Sequence, residues 1–127
     1  MATDIVIELP NEPGALARVA TAISDAGVNL AAATCLGAGS TTELHILVPH
    51  GEPVRRALAI TSTAISRERA VMVVQAHDQP GELATIASTV SGAGVNIDLI
   101  YVATGSRVVL GAPDLEELRA ALTGLTL

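Results

Sequence analysis

The sequence predicts an α+β fold of two small units in tandem, each with helices on one face of an antiparallel sheet. Three observations predict it. The segment from Asn11 to Leu30 aligns without gaps on Asp78 to Ile97, with the same Pro-Gly opening and the same Gly-Val-Asn ending. Each copy is preceded by an extended apolar run and contains apolar residues at helical spacing. Half of the 127 residues are hydrophobic and only 16% are charged, which excludes global disorder.

The first unit is expected over residues 1–68 and the second over 69–127. Ile5, Ile7 and Leu9 alternate with Asp4, Val6 and Glu8, the period of a strand with one buried face; Val71 to Ala76 is its counterpart. Pro13 and Pro80 stand where a first helix would begin. Leu16, Val19, Ala20 and Ile23 then predict an apolar helix face, matched by Leu83, Ile86, Ala87 and Val90. Gly27 and Gly94 are suited to end these helices with positive φ.

A second strand is expected over Val28 to Leu36 and Val95 to Thr104, followed by a turn around Gly37 to Thr42 and at Gly105-Ser106. The return strands are Glu43 to Val48 and Arg107 to Leu110. Pro53 announces a second helix in copy one. In copy two, Asp114 and Glu117 have capping-box spacing, and Leu115, Leu118 and Leu122 share a face. Ile60 to Arg67 can supply a fourth strand, whereas copy two has at most a stub before Leu127. The resulting order, βαββαβ with a second unit lacking a full last strand, is a ferredoxin-like layout. Units of about 60 residues have marginal cores, so pairing in space is expected, and a homodimer with it.

Composition narrows the function. The net charge of −6 argues against nucleic-acid partners, and a single aromatic, Tyr101, leaves no stacking platform. No apolar run is long enough for a membrane span, and the amino terminus lacks the pattern of a signal peptide. A lone Cys35 fits a reducing, cytoplasmic setting. His45, His50 and His77 lack ligand spacing, so no metal and no cofactor is expected. Gly37-Ala38-Gly39-Ser40 lacks the lysine of a phosphate-binding loop and reads as a hairpin turn. Arg55-Arg56 and Arg67-Glu68-Arg69 read as solvated charge, and no acid–base or nucleophile–base pair suggests an enzyme.

The motifs Asn11-Glu12-Pro13-Gly14 with Gly27-Val28-Asn29-Leu30, and Asp78-Gln79-Pro80-Gly81 with Gly94-Val95-Asn96-Ile97, resemble the signature of ACT domains. Asn96 to Ile100 is also similar to the regulatory ACT segments of aspartate kinases. The resemblance implies a non-catalytic regulatory fold that senses small ligands, most often amino acids, at interfaces between ACT units. Any regulated metabolic enzyme would then be a separate polypeptide. Alternatively, the chain is a docking subunit of a biosynthetic enzyme and binds no small molecule.

A helix amino terminus suits a ligand carboxylate, and the Asn11 amide or Asp78 carboxylate could hold an ammonium group. The implied contacts are Asn11, Glu12, Pro13, Gly14, Ala15, Leu16, Asn29 and Leu30, with Asp78, Gln79, Pro80, Gly81, Glu82, Leu83, Asn96 and Ile97 in the second copy. Equally, Asn11, Asp78, Asn29 and Asn96 could serve only to order their own turns. Serine-binding ACT sites of some phosphoglycerate dehydrogenases carry a His two residues before the turn Asn. Here Leu9 and Ala76 stand there, His77 is expected on the opposite sheet face, and the apolar wall favours an aliphatic ligand.

Overall fold

The computed structural model describes residues 2–123, and the chain divides into two compact units, residues 1–69 and 70–127. The first unit runs β1 (Thr3–Pro10), α1 (Ala15–Asp25), β2 (Ala32–Ala38), β3 (Thr41–Val48), α2 (Glu52–Ile60) and β4 (Arg67–Ala70), the last strand reaching its boundary. Its sheet has the order β2-β3-β1-β4. The pairs Ile5↔Ile46 and Ile7↔Leu44 are opposite one another in the antiparallel β1–β3 ladder, so their side chains share a face. That face meets Val19 and Ile23 of α1 and Val54 and Leu58 of α2 in one buried cluster.

The second unit runs β5 (Met72–Gln75), α3 (Glu82–Gly92), β6 (Leu99–Ala103), β7 (Arg107–Gly111) and α4 (Leu115–Leu122), with sheet order β5-β7-β6 among the described residues. Its core gathers Ile86, Val90, Val108, Leu110, Leu118 and Leu122. The terminal stub expected before Leu127 falls in residues 124–127, outside the described residues. The fold is thus α+β, two ACT-like units with antiparallel sheets.

Both first helices end as the glycines predict. Gly27 and Gly94 each have φ 76°. Gly27 N–H donates to Ser24 O, Val28 N–H to Ile23 O, and the same pair of bonds recurs from Gly94 to Ser91 and Val95 to Val90. This closing pattern folds Val28 and Val95 back onto their cores.

Five expectations are corrected. The prolines do not start the helices: α1 begins at Ala15 and α3 at Glu82, after Gly14 and Gly81 in the left-handed region. The buried helix faces are Ala15-Val19-Ile23 and Ile86-Val90, while Leu16 and Leu83 are half-exposed and Ala20 and Ala87 exposed, because the stripe is turned by one position. The second strands start late, at Ala32 and Leu99, since the helix-ending turn first sends Leu30 and Ile97 toward the cores. Ile60 to Arg67 is mostly helix end and connection, because Thr63 N–H donates to Leu58 O and closes α2; β4 follows at Arg67–Ala70. The first hairpin turn shrinks to Gly39-Ser40, with β2 and β3 paired up to Ala38↔Thr41.

Candidate functional site

The Pro-Gly motifs build two equivalent turns. Pro13 and Gly14 are the central residues of a turn in which Ala15 N–H reaches Glu12 O at 3.4 Å, and Pro80-Gly81 repeats it between Gln79 and Glu82 at 3.5 Å. Gly14 has φ 88° and ψ −15°, Gly81 φ 92° and ψ −12°. These are type II turns: proline supplies the first central φ, and the second lies where a side chain is strained. Neither α1 nor α3 has a side-chain N-cap. The N–H groups of Leu16 and Ala17, and of Leu83 and Ala84, are therefore the open donors of their first turns.

The two loops differ in what surrounds them. Asn11 is tied to the β2–β3 hairpin: its N–H donates to Ser40 O at 3.0 Å and its Nδ2 to Gly39 O at 3.0 Å. Its side chain also lies against Gly37, filling the space a Cβ there would occupy. Glu12 is exposed and 3.7 Å from Arg18. Ala15 is buried and Leu16 is 47% exposed.

In the second unit the hairpin is held from another position. Ala76 N–H donates to Ser106 O at 2.9 Å, and Gln75 Nε2 to Gly105 O at 2.6 Å. Asp78 is thereby left without a hydrogen bond or ion pair among the described residues. A cleft of about 280 Å³ opens here, lined by Asp78, Gln79, Glu82 and Leu83 from the loop and helix, and by Ala76, His77, Val102, Ser106 and Val108. His77 lies in the loop and lines this cleft, not on the opposite sheet face, because β5 ends at Gln75.

Glu82 closes one side. Its Oε1 accepts from Gln79 Nε2 at 3.0 Å and its Oε2 from His77 N–H at 3.2 Å. The Gln79 amide and the His77 backbone N–H hold its carboxyl below the usual carboxylate range. The cleft thus combines a charged Glu82, an uncommitted Asp78, open helix N–H donors and an apolar wall. Such a set can hold an ammonium and a carboxylate on one small molecule.

Asn29 and Asn96 are exposed in the segments before β2 and β6, and line no part of this cleft. Leu30 and Ile97 are half-buried against the cores. The structure therefore gathers Asp78, Gln79, Glu82 and Leu83 at a cleft, builds the turns from Pro13, Gly14, Pro80 and Gly81, and places the four strand-two positions elsewhere.

Sequence reasoning missed a polar chain across the first sheet. Asp4 is fully buried, and His45 Nδ1 lies 3.0 Å from its Oδ2 while His45 Nε2 lies 2.8 Å from Glu43 Oε1. Arg67 Nη2 donates to the same Glu43 oxygen at 2.8 Å. The His45 ring, then Arg67, holds the Glu43 carboxyl below its usual range. The register Asp4↔Leu47 and Val6↔His45 puts His45 two residues diagonal from Asp4, on the same sheet face, a relation visible only once β1 and β3 are paired. Among the described residues no group of His, Cys, Asp and Glu could hold a metal ion, and no helix is long and apolar enough to cross a membrane.

Comparison with known proteins places this geometry. A family model described as "ACT domain" matches residues 3–61, within the first unit, and the solved structures that the chain resembles share its fold. The chain is similar over 94% of its length to protein BT0572 from Bacteroides thetaiotaomicron, with 23% identity, a TM-score of 0.84 and 85% of that chain covered. The ligand-free regulatory subunit of aspartate kinase from Thermus thermophilus matches with 21% identity and a TM-score of 0.71, over 95% of this chain and 87% of that one. The regulatory subunit from Thermus flavus matches at 21% identity and a TM-score of 0.64, over 94% and 89%. No curated protein matches.

Proposed function

We propose that this chain is a non-catalytic regulatory protein that binds a free amino acid at the Asp78 loop and thereby modulates a separate metabolic enzyme. The observation that carries the reading is the contrast between the loops: Asn11 is consumed by its hairpin, whereas Asp78 lines a cleft and has no bonded partner among the described residues. In this reading the Asp78 carboxylate takes the ligand's ammonium group. The open N–H groups of Leu83 and Ala84 take its carboxylate, and Ala76, Val102 and Val108 accept an aliphatic side chain. Likeness to aspartate kinase regulatory subunits supports a role in amino-acid metabolism.

Titration calorimetry of the full chain against the twenty amino acids tests it. The expected result is heat with aliphatic ligands that Asp78→Asn abolishes. Serine binding clearly ahead of valine, leucine, isoleucine and methionine overturns the aliphatic assignment, and no heat at millimolar ligand overturns the sensor itself. That second outcome favours the other reading, a docking subunit without a ligand, to which the tied-down Asn11 loop already conforms. A cytoplasmic homodimer completes the proposal. Cys35 is free, and among the described residues strands β5 and β6 are the edges of the second unit's sheet. A monomeric mass by light scattering overturns the dimer.

A further inference from the structure

The first unit contains a larger groove, about 650 Å³, between α1 and the connection from α2 to β4. Its floor is Leu9 and Val19, and its walls are Arg18 and Asp25 of α1 on one side and the Thr61–Ala64 segment on the other. We infer that this groove is a second ligand site, separate from the Asp78 cleft, and that it takes a short linear peptide with free termini, its carboxylate on Arg18 and its ammonium on Asp25.

Three observations carry this. The charges of α1 run against its own dipole: Arg18 lies in the first turn and Asp25 is the last residue, with no acid in the first turn and no base in the last. By contrast, α4 places Glu116 and Glu117 first and Arg119 late. Helix stability therefore does not account for Arg18 and Asp25. Second, neither charge is held closely. Asp25 has no ion pair or hydrogen bond among the described residues, and Arg18 has only the 3.7 Å contact with Glu12, both side chains being more than half exposed.

Third, Ser62 closes α2 with φ 56°, at the position where α1 and α3 use Gly27 and Gly94. A side chain there is strained, yet its hydroxyl bonds nothing among the described residues, while its neighbours Thr61 and Thr63 bond each other at 3.1 Å. Its place in the lining gives that hydroxyl a use as a donor or acceptor to a peptide group.

Length selects the ligand. Arg18 and Asp25 are seven positions apart on α1, about 10 Å between their backbone positions along the axis. An extended tripeptide spans about 10 Å. A free α-amino acid carries both charges on one carbon and reaches only one end.

Calorimetry of the full chain with trialanine, alanine and trialanine blocked at both termini tests the assignment. Trialanine is expected to bind in the millimolar range or tighter, with alanine and the blocked peptide weaker by about tenfold, the usual worth of one charge-assisted bond. Arg18→Gln and Asp25→Asn, both at exposed positions, should each weaken trialanine to a similar degree, while Asp78→Asn leaves it unchanged. Absence of trialanine heat overturns the inference, as does equal binding of the blocked peptide or full affinity in both variants. Alanine heat that Asp78→Asn removes belongs to the Asp78 cleft and is not counted for or against the groove.

Discussion

The side chain of Asn11 occupies the space beside Gly37: a Cβ on Gly37 would stand 2.9 Å from Asn11 Oδ1 and 3.0 Å from its Nδ2. Such an approach cannot be absorbed without moving the amide that bonds Gly39 O. Gly37→Ala is therefore expected to cost about 1–2 kcal/mol by loss of that hydrogen bond and local repacking. Combined with Asn11→Ala the cost should be less than the sum, since the clash and the bond share one side chain. Urea unfolding of the four proteins of this cycle measures the coupling.

Ligand binding should separate the two loops. Asp78→Asn removes a charged acceptor from an open cleft and is expected to weaken amino-acid binding by about tenfold or more. Asn11→Ala should destabilise the first hairpin but leave the binding constant unchanged. Calorimetry read beside a thermal melt distinguishes loss of affinity from loss of fold.

Acid should unfold the protein partly through its glutamates. Glu43, Glu52 and Glu82 all titrate below their ordinary value of 4.5. The causes are, first, hydrogen bonds from His45, from Arg55 and from Gln79 respectively. A carboxyl with a lowered folded pKa binds its proton more readily in the unfolded chain. Its stabilisation is complete above 4.5 and is lost as pH falls through the folded value. Unfolding midpoints measured from pH 7 downward should thus be insensitive to these groups until below about 5 and then fall. Glu43→Gln should flatten that limb.

The helix-ending glycines offer a purely conformational test. A Cβ at Gly27 or Gly94 meets nothing within 4 Å, so Gly→Ala there is penalised by φ 76° and not by crowding. Each substitution should cost about 1 kcal/mol, and Gly→Asn less. Ser62→Gly should go the other way, raising stability by up to about 1 kcal/mol. Thermal melts of these variants check the signs.

Much of this architecture was legible because it repeats. The Gly-Val-Asn endings located both α1 and α3 termini, and Asp114 caps α4 with bonds from the N–H groups of Glu116 and Glu117, as its spacing implied. The starts of α1 and α3 were not legible. Proline at a first helical position and proline inside a type II turn look alike in sequence, and only the φ of Gly14 and Gly81 tells them apart. The helix faces were misjudged for a related reason: with alanine on several sides, Leu16 and Ala20 carry the same period as Ala15 and Val19. The Asp4–His45–Glu43–Arg67 chain spans three strands and exists only through sheet register, which no local pattern encodes.

One Pro-Gly bend is a strut, its Asn11 amide bonded to the neighbouring hairpin, and the other makes no such bond among the described residues. Anything settling at Asn11 must first break the bond to Gly39, so capture there is gated by a hairpin that has to let go. Among the described residues no side chain bonds Asp78. Under the proposed reading, the speed of association at that bend is then set by diffusion and orientation, with no hairpin to release first.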